Sequence, residues 1–156
     1  DLQFRLGVLQ DKSGQKDNAI NTMRQVIELD PKHVNALNYL GYTYAEMGQN
    51  LDVAEQLINR AMTLKPNDGY ITDSLGWVYY QKGLYQKALE VLLFAIELVP
   101  DDPTILEHIG DAYVKNQKFE LALVYYRRAL EQKDGADKAA IERKIQELSE
   151  FVTDKP

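Results

Sequence analysis

Apolar and polar positions follow each other along this chain at the spacing of helices. In residues 68–83, DGYITDSLGWVYYQKG, the apolar side chains Ile71, Leu75, Val78 and Tyr79 recur at intervals of three and four. The same rhythm runs through DLQFRLGVLQ at the start and LYQKALEVLLFAIELVP at residues 84–100. No strict alternation is long enough to predict a strand. Helices punctuated by glycine and proline are expected throughout.

A longer period lies over the short one. Leu6-Gly7 recurs as Leu40-Gly41, Leu75-Gly76 and Ile109-Gly110, with the glycines 34, 35 and 34 residues apart. Three residues after them stand Gln10, Tyr44, Tyr79 and Tyr113. Ala19, Ala54, Ala88 and Ala122 follow in register, then Val26, Ala61, Ala95 and Ala129. Units close near Pro31, Pro66 and Pro100, and the fourth has Asp134 instead. Each unit therefore reads as two helices. Gly14, Gly48 and Gly83 are expected to cap the first helix of a unit, with Asn116-Gln117 in the fourth, where Asn would serve. Asp102-Pro103 predicts an N-cap followed by proline in the first turn. An extra residue near Asn50-Leu51 predicts a longer or bulged turn in the second unit. Glycine inside a helix costs roughly 0.5–1 kcal/mol relative to alanine. Four such glycines at one period predict close helix–helix contact, with the alanines at 19, 54, 88 and 122 as small partners.

Four units in phase resemble the tetratricopeptide repeat family, through the Leu-Gly-x-x-Tyr, Ala, Ala and Pro positions just given. The resemblance implies an all-α, right-handed superhelical solenoid of four helical hairpins plus a C-terminal capping helix. The units are 1–33, 34–68, 69–102 and 103–136; the cap is 137–151 and 152–156 is a tail. In the cap, Ile141, Ile145, Leu148 and Phe151 make one stripe. Arg143-Lys144 replaces the Leu-Gly pair there, so no second helix is expected to pack on it. At the other end Leu2 and Leu9 occupy the face that, in the family, packs on a preceding repeat. Terminal repeats are normally polar on the outside. Their exposure predicts an array that continues upstream, or self-association through that face as a homo-oligomer.

Charge and composition narrow the function. With 24 acidic and 18 basic residues the net charge is −6, which argues against a nucleic-acid partner. No apolar run reaches the ~20 residues of a membrane helix, and no polybasic helix is present, so direct membrane insertion is not expected. There are no cysteines, which removes disulfides and thiol chemistry. The two histidines offer little catalysis. His33 is expected to be an exposed surface residue between repeats. Glu107, His108 and Asp111 contain metal-binding groups, but Glu107 and His108 are adjacent and point about 100° apart on a helix. Ser74, Asp73 and His108 share only the composition of a triad. A non-catalytic protein with no cofactor or metal is expected.

In tetratricopeptide arrays the first helices line a concave face where partners bind, and the resemblance implies the same here. Residues three before, one after and four after each repeat glycine give the inward stripe. It reads Phe4, Val8 and Asp11; Asn38, Tyr42 and Ala45; Asp73, Trp77 and Tyr80; Glu107, Asp111 and Val114. Tyr70 and Thr104 stand at the starts of the third and fourth first helices. The stripe is aromatic in the middle and acidic toward the fourth unit. Asn38, Tyr42, Tyr70, Asp73, Trp77, Tyr80, Glu107 and Asp111 are the candidate partner contacts, and Trp77 is the only tryptophan. The Lys/Asn/Arg clamp with which chaperone-binding members hold a C-terminal carboxylate is absent, since Asn38 alone suits it. The expected partner is a protein or peptide segment with apolar and basic side chains. The middle of the chain is also similar to repeats in bacterial cell-envelope proteins, which leans the expected location that way.

Overall fold

Alternate helices begin in this chain where a side chain can close the open N–H groups of a first turn. Asp1 accepts from the Gln3 and Phe4 amides, Asp68 from Tyr70 and Ile71, and Asp102 from Ile105 ahead of Pro103. His33 does the same with Nδ1, accepting from the Ala36 amide at 3.1 Å. Its Nε2 lies 3.0 Å from the Asp1 carboxylate. His33 is thus a half-buried cap that ties the first two repeats together, not the exposed histidine its position suggests.

The computed structural model describes residues 1–132, 135 and 137–153. Among the described residues there are nine α-helices and no strands: α1 (Leu2–Lys12), α2 (Lys16–Leu29), α3 (Val34–Glu46), α4 (Leu51–Leu64), α5 (Gly69–Gln81), α6 (Tyr85–Leu98), α7 (Pro103–Lys115), α8 (Phe119–Glu131) and α9 (Lys138–Thr153). Consecutive pairs form four antiparallel hairpins, and each hairpin stacks on the next. None of these helices is long and apolar enough to cross a membrane. Asp134 and residues 154–156 of the tail lie outside the described residues.

Close contact inside each hairpin is what the repeat glycines permit. A Cβ on Gly41 would stand 2.6 Å from the Ile58 side chain, and one on Gly76 would stand 2.6 Å from Leu92. Gly7 and Gly110 meet Met23 and Tyr126 in the same way. The packing partner is therefore the residue four beyond each small alanine, one turn further along the second helix. The alanine itself lets the backbones approach: the Ala54 carbonyl is 3.1 Å from the same position on Gly41. Ala36, Leu37, Ile58, Leu92, Ile105 and Leu106 are fully buried along the resulting core.

The turns follow the glycines with one exception. Gly14, Gly48 and Gly83 all adopt positive φ after α1, α3 and α5. After α7 it is Gln117 that takes φ 59°, not Asn116. Asn116 instead donates its side-chain amide to the Tyr85 and Ala112 carbonyls. The added residue of the second hairpin is Asn50, in the left-handed region at φ 49° just before α4.

Repeat tyrosines lock neighbouring hairpins. The Tyr44 hydroxyl accepts from Arg24 on α2 at 2.7 Å, and Tyr79 donates to Glu55 on α4 at 3.3 Å. Further along, α9 packs on α8, with Ile141 and Leu148 buried and Ile145 against the same cluster. Phe151 lies at its exposed end, edge-on to Phe119.

Candidate functional site

The first helices stand side by side, but not evenly. α3 packs directly on α5, whereas α5 and α7 approach at only a few positions. Side chains fill the wider gap. Asp73 on α5 and His108 on α7 meet there, with Nδ1 2.8 Å from Oδ1 and both residues buried. The His108 ring stacks on Trp77 with centroids 4.1 Å apart and planes within 15°. Trp77 also stacks on Tyr80, one helical turn along, at 4.5 Å and 7°. Tyr80 in turn meets Tyr85 edge-on.

A groove of about 580 Å³ opens above this ring stack. Tyr42 and Trp77 form its aromatic wall, with His108 beside them. Glu46, Gln81 and Thr104 line its rim. At one end lie Glu107 and Asp111, one turn apart on α7. Lys144 from α9 sits on both, at 2.7 Å from Glu107 and 2.8 Å from Asp111. Tyr126 adds a 2.7 Å hydrogen bond to Asp111. At the other end Lys16 reaches Glu46 at 3.7 Å.

Of the eight contact candidates, the structure brings Tyr42, Trp77, Glu107 and Asp111 into this groove. The other four are placed differently. Asp73 is 6% exposed and is spent on His108, so it offers no free carboxylate. Tyr80 supports Trp77 from behind, away from the groove lining. Tyr70 is 57% exposed at the start of α5 but stands off the groove. Asn38 is half-buried, and its Oδ1 has no hydrogen-bond partner among the described residues. Leu2 and Leu9 are 85% and 63% exposed on the outer side of α1.

His108 and Lys144 are the residues that the stripe reading leaves out. His108 sits two before its repeat glycine. The same position holds Tyr39 in the second unit, and Tyr39 also reaches back one repeat, donating to Asp11. The available signal was therefore an acid one repeat earlier, opposite a hydrogen-bonding residue at this register. Lys144 stands at the glycine register of α9. Its long side chain extends from there to the carboxylates of α7.

The electrostatics follow from this packing. Burial disfavours a charged His108, but the Asp73 carboxylate outweighs it, with help from Asp111 and Glu107, and raises the ring's pKa above its ordinary value. Burial likewise works against Lys144, and the same two α7 carboxylates raise its pKa. Burial, then Asp111 and Tyr85, push the Tyr80 phenol up to about 12. No set of three His, Cys, Asp or Glu among the described residues could hold a metal ion. Ser74 spends its hydroxyl on the Tyr70 carbonyl at 3.0 Å, so it completes no triad with Asp73 and His108.

Comparison with known proteins agrees with this architecture. Models described as Tetratricopeptide repeat match residues 1–33, 22–53 and 103–134, and one described as TPR repeat matches 76–117. A TPR repeat-containing protein of Pseudomonas aeruginosa, PA4667, is 33% identical over 110 residues, covering 70% of this chain and 18% of its own. The peroxisomal targeting signal receptor of Saccharomyces cerevisiae is 21% identical, covering 85% of this chain and 28% of its own. The chain thus spans less than a third of either relative. Pseudomonas aeruginosa pilF superposes with a TM-score of 0.80 at 19% identity, over 98% of this chain and 68% of its own. The matched segments together take in well over half the residues, and the repeat glycines, the hairpins and their stacking are all in place. The chain belongs to the tetratricopeptide repeat family.

Proposed function

We propose that this array is a non-catalytic protein-interaction module that holds a segment of a partner protein in its concave groove. The observation that carries the reading is the groove itself. It combines aromatic side chains at its wall with polar and charged groups at its rim, the anatomy of interface hot spots. One relative with the same repeats is a receptor for a targeting signal, which suits a segment-binding role. The partner carries apolar side chains for the Tyr42 and Trp77 wall. Its basic residues meet Glu46 on the rim and the net negative charge that Glu107 and Asp111 keep beside a single Lys144.

Blocking the groove without disturbing the ring stack tests this. Gln81→Arg/Thr104→Arg places two bulky cations on the rim and touches neither Trp77 nor His108. Partner recovered by the wild type from lysate of the source organism is lost with this variant. A control, Val53→Asp, alters a separate groove of similar volume on the outer layer between α2 and α4 and leaves recovery intact. Equal recovery by the folded rim variant overturns the reading.

The exposure of Leu2 and Leu9 favours a second reading, in which α1 stacks on a second copy of this chain. Sedimentation decides it: a wild-type oligomer that dissociates in Leu2→Glu/Leu9→Glu supports self-association, and a monomeric wild type removes it.

A further inference from the structure

The Asp73–His108 pair has an atom left over. Nδ1 of His108 engages Asp73, while Nε2 has no hydrogen-bond partner among the described residues. The ring lines the groove, and Nε2 is not sealed beneath it. An ionised carboxylate only accepts, so the Nδ1 facing Asp73 carries a hydrogen. The proton that a charged His108 gives up on titration is therefore the one on Nε2.

Every neighbouring element contributes to the field around that atom. Asp73 comes from α5, and Glu107 and Asp111 from α7. Tyr42 on α3 places its ring 6.3 Å away, with the Glu46 carboxylate near its phenol. Lys144 on α9 offsets the two α7 carboxylates. The Trp77 indole stacked on the ring favours the cationic form further, by cation–π attraction. Asp73, Asp111, Glu107 and the aromatic face together outweigh burial and Lys144, so the balance favours the charged ring.

We propose that His108, held by Asp73, is a proton-operated contact in the groove. Its Nε2 presents an N–H to a partner's main-chain carbonyl when the ring is charged, and a lone pair to an N–H donor once it is not. The identity of the partner group rests on the groove reading above; the behaviour of the pair does not.

The experiment follows the imidazole nitrogens of the ¹⁵N-labelled chain by long-range ¹H–¹⁵N correlation from about pH 5 to about pH 9, across the histidine range. Nδ1 stays protonated throughout. Nε2 loses its proton in one step centred above the ordinary value of 6.5. Emission from Trp77, the only tryptophan, rises at the same midpoint, as the stacked imidazolium that quenches it discharges. His108→Asn can still donate an amide N–H to Asp73 but has no atom at Nε2, so it abolishes the emission step. If that variant does not fold, the wild-type spectra decide alone. Titration of Nδ1 instead of Nε2, or a ring already neutral below pH 6.5, overturns the proposal. The two readings fail separately. A groove that recovers no partner leaves these spectra unchanged, and a neutral His108 leaves partner recovery by the groove intact.

Discussion

Trp77 shows how a single residue changes meaning between sequence and structure. Its stripe position marks it as an anchor on display. In the fold it stacks on both His108 and Tyr80, so part of its surface is committed to neighbours before any partner arrives. The pair beneath it has a measurable signature. His108 has a raised pKa in the folded state. The stabilisation from its charge is complete below the unfolded value of about 6.5 and is lost as pH rises through the folded value. The thermal midpoint of the wild type should accordingly fall with pH above that point and then level off. Asp73→Asn should flatten that slope, as scanning calorimetry at a series of pH values will show. Gly76 makes a second residue-scale case. A methyl group there meets Leu92 at 2.6 Å with the helix backbones fixed. Gly76→Ala should destabilise the chain by about 1–3 kcal/mol, the usual cost of overpacking, despite alanine's better helix propensity. Urea unfolding measures it.

At the scale of elements, the helices and their pairing were legible because local signals agreed with the period. The Asp102-Pro103 cap, the apolar stripes and the glycines after the first helices all point to the same boundaries. The fourth turn departs from that rule, since Gln117 holds a positive φ where the other units use glycine. A non-glycine residue there costs roughly 1–2 kcal/mol, part of which glycine gives back as chain entropy. Gln117→Gly should therefore stabilise the chain by about 0.5–1 kcal/mol in the same urea assay. The site was less legible. Periodicity places Tyr42, Trp77, Glu107 and Asp111 on the face that lines the groove, because that depends only on rotation about one helix axis. It cannot give the spacing between first helices. The α5–α7 gap is what lets His108 swing inward and draws Asp73 away from the surface. Lys144 is harder still, because its reach to α7 depends on how α9 docks on α8.

Across the whole molecule, a stack of hairpins holds its core between neighbours and leaves one long face open. Here that face carries the chain's chemistry. The caps, the repeat tyrosines and the glycine contacts spend their groups on the fold, while Tyr42, Gln81 and Thr104 remain on the groove surface. The central claim is that this surface is where a partner segment lies. The most direct measurement is site-specific photocrosslinking in cells of the source organism, with a benzophenone amino acid placed singly at Gln81, Thr104 and, as a control, Val53. Adducts to one discrete protein from the two groove positions, and none from Val53, are the predicted result. Adducts from Val53 alone, or none at either groove position in a chain that binds its partner, would contradict it.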